Sequence, residues 1–135
     1  MGISLDEAMQ VFAAAREIAS AEDAAMTFAL VDEGGHLVAL VRMDDAPWAT
    51  VEVAIGKAWT AAAWRQESAQ QGAKARDLPQ FANAMSAMTG GRYTPQDGGV
   101  PVIVDGRVVG GIGASGSTGQ HDADVVRRAL DRVLA

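Results

Sequence analysis

A chain of 135 residues, 49% hydrophobic and 21% charged, has the size and composition of one ordered globular domain spanning 1–135. Its 17 acidic and 11 basic residues give a net charge of −6, which argues against nucleic acid or an anionic membrane as partner, and no apolar run is long enough to cross a bilayer. With no cysteine there is no disulfide, thiolate metal site or cysteine nucleophile.

The opening MGISLDEAMQ has neither the basic nor the apolar stretch of a secretion signal, so a cytoplasmic location is expected. Ser4 and Glu7 have capping-box spacing, and Leu5, Met9, Phe12 and Ile18 repeat along one face, which predicts a first helix. From Ala25 the period changes to two, with Met26, Phe28 and Leu30 alternating with Thr27, Ala29 and Val31. Glu33-Gly34-Gly35 interrupts, and His36 to Met43 continues as a second strand, so this region reads as a hairpin.

Pro47 and a Thr50 cap open the next helix. At 100° per residue, Val51, Ile55, Ala58 and Ala62 share one side, and Val53, Lys57, Thr60 and Trp64 the other. Glu52, Lys57 and Arg65 are its only charges, so both faces should be covered, one by the sheet and one by a second subunit. Residues 68–99 are the least regular. One short helix is expected from Pro79 through Phe81, Met85 and Met88, ending at Gly90-Gly91. Val100 to Val104 and Val108 to Ser115 form a second hairpin around Asp105-Gly106. A last helix carries Asp122 and Asp124 early and Arg127, Arg128 and Arg132 late, as the macrodipole favours. The order α-ββ-α-α-ββ-α predicts an α+β fold, an antiparallel sheet from two hairpins with flanking helices.

Several side chains could carry chemistry. His36 could ligate a heme iron or move a proton, or be a turn histidine bonded to Asp32. Arg42 could grip a carboxylate, Met43 could be a soft axial ligand and Asp44 a base; alternatively, Arg42 pairs with Asp44 or Asp45 to fix the turn. Lys57, on an apolar helix, needs an anionic partner: Asp44 or Asp45, a ligand carboxylate, or a neighbouring subunit's acid. It could also be a catalytic base or Schiff-base former. Gly110, Gly111 and Gly113 lie within a strand and signal a close backbone approach. Gly113-Ala-Ser115-Gly116 could cradle an anion on its amides, and Gly98-Gly99 is either a pocket rim or loop punctuation. His121 reads as a surface residue, and two histidines without ligand spacing predict no dedicated metal site. Trp48, Trp59 and Trp64 suit core or interface packing, or stacking on a flat ligand.

VDEGGHLVALVRMDDAP, IGKAWTAAAW, GGVPVIVDGRVVGGIGASG and the acidic helix start at Asp122 together resemble the GlcG/HbpS-like family, also called the heme-degrading or DUF336 domain. The resemblance covers nearly the whole chain. It implies a profilin-like α/β sandwich and assembly into dimers or larger homo-oligomers, for which the 50–65 helix is the expected contact. Some members of the family bind heme, others are corrinoid- or heme-binding domains attached to an adenosyltransferase, and many sit beside catabolic enzymes. His36 falls in the family's Gly-Gly-His pattern, and Arg42, Asp44 and Lys57 fall on recurrent polar positions; His121 inherits no role. The expected function is therefore a small-molecule site near Arg42, Asp44, Lys57 and Gly98-Gly99 that takes heme or a related tetrapyrrole. The alternative is a cofactor-independent isomerase or lyase acting on a small organic acid or aromatic metabolite, in which Lys57 or Asp44 transfers the proton.

Overall fold

A computed structural model describes residues 2–134. In chain order the elements are α1 (Leu5–Ala21), β1 (Thr27–Asp32), β2 (Leu37–Arg42), α2 (Ala49–Trp64), α3 (Ser68–Asp77), α4 (Pro79–Met88), β3 (Gly99–Val104), β4 (Arg107–Ser115) and α5 (Gly119–Leu134). The four strands make one antiparallel sheet in the order β2-β1-β4-β3, so the two hairpins join through β1 and β4. The expected α+β architecture is present.

The period-two pattern of β1 divides the molecule into layers. Phe28 and Leu30 face α1 and α5 in the larger core, with Phe12, Ile112, Val125 and Val126. Ala29 and Val31 point the other way and meet Ala54, Ala58 and Ala62 of α2. The small residues let α2 lie close on the sheet: a Cβ on Gly111 or Gly113 would strike the main-chain carbonyls of Ala58 and Ala54. This is the close approach that glycines within a strand imply. Asp105 and Gly106 both adopt positive φ (52° and 76°), as the tight β3–β4 turn requires.

Three expectations are corrected. The buried stripe of α1 is Ala8, Val11, Phe12, Ala15, Ile18 and Ala19, while Leu5 and Met9 are about half exposed; the capping box itself forms, with Glu7 N–H donating to Ser4 Oγ at 3.1 Å. Thr50 is not the cap of α2, because its hydroxyl donates to the Pro47 carbonyl from inside the first turn. An additional helix, α3, makes the order α-ββ-α-α-α-ββ-α. The mostly polar α3 sequence SAQQGAKARD lacks an apolar period, and a Glu67/Gln70 capping box sets its start instead.

Part of the outer side of α2 is covered by the chain's own later segments. A Cβ on Gly56 would strike the Thr94 side chain, and the Thr94 N–H donates to Thr60 Oγ1 at 2.8 Å. Trp64 packs edge-on against Phe81 of α4, with ring centroids 5.9 Å apart, and Phe81 against Tyr93. The chain's own 89–97 segment and α4 thus cover part of the outer side of α2, at Gly56, Thr60 and Trp64, and leave Glu52 and Ala63 exposed. No helix among the described residues is long and apolar enough to cross a membrane.

Candidate functional site

The residues singled out by sequence fall at three separate places. The first is between α2 and the sheet. Lys57 Nζ donates to Asp122 Oδ2 at 3.2 Å and to the Ala114 carbonyl at 3.0 Å, and the two side chains are only 4% and 2% exposed. Its partner is thus Asp122 at the start of α5, not Asp44 or Asp45. The other Asp122 oxygen accepts from the Ser117 N–H at 3.0 Å. Burial raises the Asp122 carboxyl above its ordinary value, and the Lys57 charge opposes that rise. Gly98 and Gly99 close over this pair: a Cβ on Gly98 would lie 2.8 Å from Lys57 Nζ, and one on Gly99 would strike the Lys57 carbonyl. Ser115, buried at the end of β4, opposes Thr27 of β1. The arrangement ties α2, β4 and α5 together and is shut off from solvent.

The second place is the β1–β2 turn. Gly35 takes a positive φ of 84°, and a Cβ there would lie 2.8 Å from the Trp59 indole. His36 sits just outside β2 rather than within it, because Asp32 Oδ1 accepts from the main-chain N–H groups of Gly34 and His36, both at 2.9 Å. The His36 ring turns back so that Nδ1 lies 3.1 Å from the same oxygen. The His36 main-chain N–H, chief among these contacts, holds the Asp32 carboxyl below its ordinary value. The His36 side chain is 82% exposed, so its other nitrogen, Nε2, faces outward. Arg92 lies over Trp59 with its guanidinium carbon 5.5 Å from the ring centroid. Arg65 and Arg107 line an adjoining cavity of about 510 Å³, where Arg107 is held by Glu33. Leu37 beside the turn is 51% exposed.

The third place is the opposite end of β2. Six residues at about 3.3 Å each put Arg42 roughly 20 Å from the turn. Arg42, Met43 and Asp44 line a cavity of about 450 Å³ together with Val41, Arg16 and Ser20. Met43 is fixed twice to Met26: its N–H donates to the Met26 carbonyl at 3.0 Å, and its sulfur accepts from the Met26 N–H at 3.4 Å. Among the described residues Arg42 makes no ion pair with Asp44 or Asp45 within 4 Å, so the turn is fixed by this methionine pairing and by a positive φ at Asp45.

The fold therefore brings Arg42, Met43 and Asp44 together, and separates them from His36 by the length of a strand and from Lys57 by its burial. Sequence reasoning missed Arg16 and Ser20, whose position against β2 is a tertiary fact with no local signal. It also gave His121 a surface place; that side chain is three-quarters buried between Ser117 Oγ at 2.8 Å and Glu22 at 2.7 Å, where its contact depresses the Glu22 carboxyl. Among the described residues no three His, Asp or Glu side chains gather as a metal cluster.

Comparison with known proteins adds three relatives. A family profile described as haem degrading protein HbpS-like matches residues 3–131. The GlcG protein of Escherichia coli K12 is 35% identical over 115 residues, covering 84% of this chain and 81% of that protein. Among solved structures, Klebsiella pneumoniae ORFY superposes with a TM-score of 0.88 at 30% identity, covering 96% of this chain and 88% of that one. A PduOC:heme complex superposes with a TM-score of 0.86 at 27% identity over 97% of this chain and 94% of that one.

Proposed function

The chain belongs to the HbpS-like family, and from that premise we propose that it is a small-molecule-binding domain that takes heme or a related tetrapyrrole at the β1–β2 turn, with His36 as axial ligand. The observation that carries this reading is the Asp32–His36 contact. A carboxylate on Nδ1 fixes the ring and its tautomer and makes Nε2 the metal-binding nitrogen. The solved heme complex of a relative at 27% identity supports the choice of ligand. Bound there, heme would supply an iron for ligation and redox chemistry; His36 would hold it, Trp59 and Leu37 would offer apolar surface, and Arg92 beside Trp59 and Arg65 in the adjoining cavity would be the cations for its propionates. Met43, at the far end of β2, is not part of this site.

Because His36 is so exposed, a flat ligand on it is left open to water on one side. A second copy covers it in this reading, consistent with the exposed apolar side chain of Leu37 beside the turn. The alternative, an isomerase or lyase with Lys57 or Asp44 as proton carrier, draws no support from Lys57, which is shut away beneath Gly98, and leaves Asp44, exposed in the cavity at the far end of β2, as its carrier. A hemin titration of the chain and of His36→Ala tests the proposal: a saturable Soret shift lost in the variant is expected, and a shift unchanged by the substitution removes His36.

A further inference from the structure

We propose that the cavity at the end of β2 is a second, independent binding site, specific for a small organic carboxylate held between Arg16 and Arg42. In a chain with six more acidic than basic groups, most exposed arginines of α5 and the hairpins find a carboxylate: Arg107, Arg127, Arg128 and Arg132 all do. Arg16, Arg42, Arg65, Arg76 and Arg92 do not, among the described residues, and of these Arg16 and Arg42 share one cavity, with Asp44 in its wall. Two guanidinium groups lining one cavity, neither ion-paired with the Asp44 carboxylate in its wall, leave donors free for an external anion.

The rest of the lining selects among anions. Val41 and Met43 supply an apolar floor for an organic body, and the volume of about 450 Å³ is that of a small-molecule pocket. Ser20 adds a hydroxyl that can donate to the same anion. Asp44 in the wall repels a doubly charged phosphate more than a singly charged carboxylate. The floor is also rigid, because both the N–H and the sulfur of Met43 are committed to Met26. A site held in place by its backbone spends little entropy on ordering when a ligand arrives.

The test is calorimetric titration with benzoate and butanoate, with inorganic phosphate as comparator, on the chain and on Arg16→Gln, Arg42→Gln and Arg76→Gln. Arg76 on α3 is exposed and lines no part of this cavity, so it controls for the change in net charge. Saturable carboxylate binding is expected, weakened about tenfold or more by each of the first two substitutions and unchanged by the third. Folding of each variant is checked by its unchanged thermal transition; Arg42→Lys, which keeps the charge and loses the fork, should also bind less tightly. Heme propionates are the other source of the same chemistry, so the titration is repeated after adding hemin. Unchanged benzoate affinity supports a separate site, and competition overturns it. The proposal also fails if none of the carboxylates binds, if binding is indifferent to Arg16 and Arg42, or if phosphate binds more tightly through the same residues.

Discussion

Two acid–base pairs, Lys57–Asp122 beneath the sheet and Asp32–His36 at its edge, use similar chemistry for opposite ends. The first is surrounded by glycine backbone and helix, so each charge depends on the other and on the Ala114 and Ser117 main chain. The second lies in water, where a pairing contributes little to stability but orients a ring whose far nitrogen is open. Access is thus what separates the two pairs: one is closed to solvent and the other open to it.

The largest expected effect breaks the closed pair. Lys57→Ala or Asp122→Ala leaves an uncompensated buried charge and should cost about 3–5 kcal/mol in urea unfolding, while Lys57→Met with Asp122→Leu should recover much of it. Catalysis or binding lost only in proportion to unfolding would place Lys57 firmly on the structural side. Next, Gly113→Ala should cost about 1–3 kcal/mol or more, because its Cβ meets α2 backbone that cannot retreat without lifting off the sheet. The same loss should appear as faster amide exchange along β4.

The open pair should respond more weakly and with a defined sign. The Asp32 carboxyl is depressed in the fold, so its contribution is present above the ordinary value of 3.8 and is lost as pH falls through the lower folded value. Unfolding midpoints measured down through that range should fall more steeply for the parent than for Asp32→Asn. Smallest of all, His36→Ala should change stability by no more than about 0.5 kcal/mol, since the ring is exposed and its side-chain polar partner is the half-exposed Asp32. A loss as large as that of Lys57→Ala would erase the distinction between the pairs.

The sequence made the frame legible and the assembly of sites only partly so. Period-two alternation in Met26 to Val31, the Asp105-Gly106 turn and the Ser4/Glu7 box are local signals, and each element they mark is present. Helix α3 escaped because its packing is set by polar contacts, such as Tyr93 Oη donating to Gln71 Oε1 at 2.8 Å, and not by an apolar stripe. The lone charge of Lys57 correctly demanded an acid. Nothing local could choose Asp122, which is 65 residues away and is delivered by the β4–α5 connection. Likewise Arg42, Met43 and Asp44 are adjacent in sequence and share a cavity, whereas Arg16 joins them only because α1 packs along β2.

The central claim, that the open pair is the heme-binding one, is tested most directly by titrating hemin into the purified protein and following absorbance, with His36→Ala and Asp32→Asn alongside. The account predicts a saturable Soret shift that His36→Ala abolishes and Asp32→Asn weakens about tenfold or more, as loss of an orienting carboxylate does at other metal-bound histidines. A featureless titration, or a shift indifferent to His36, would contradict it.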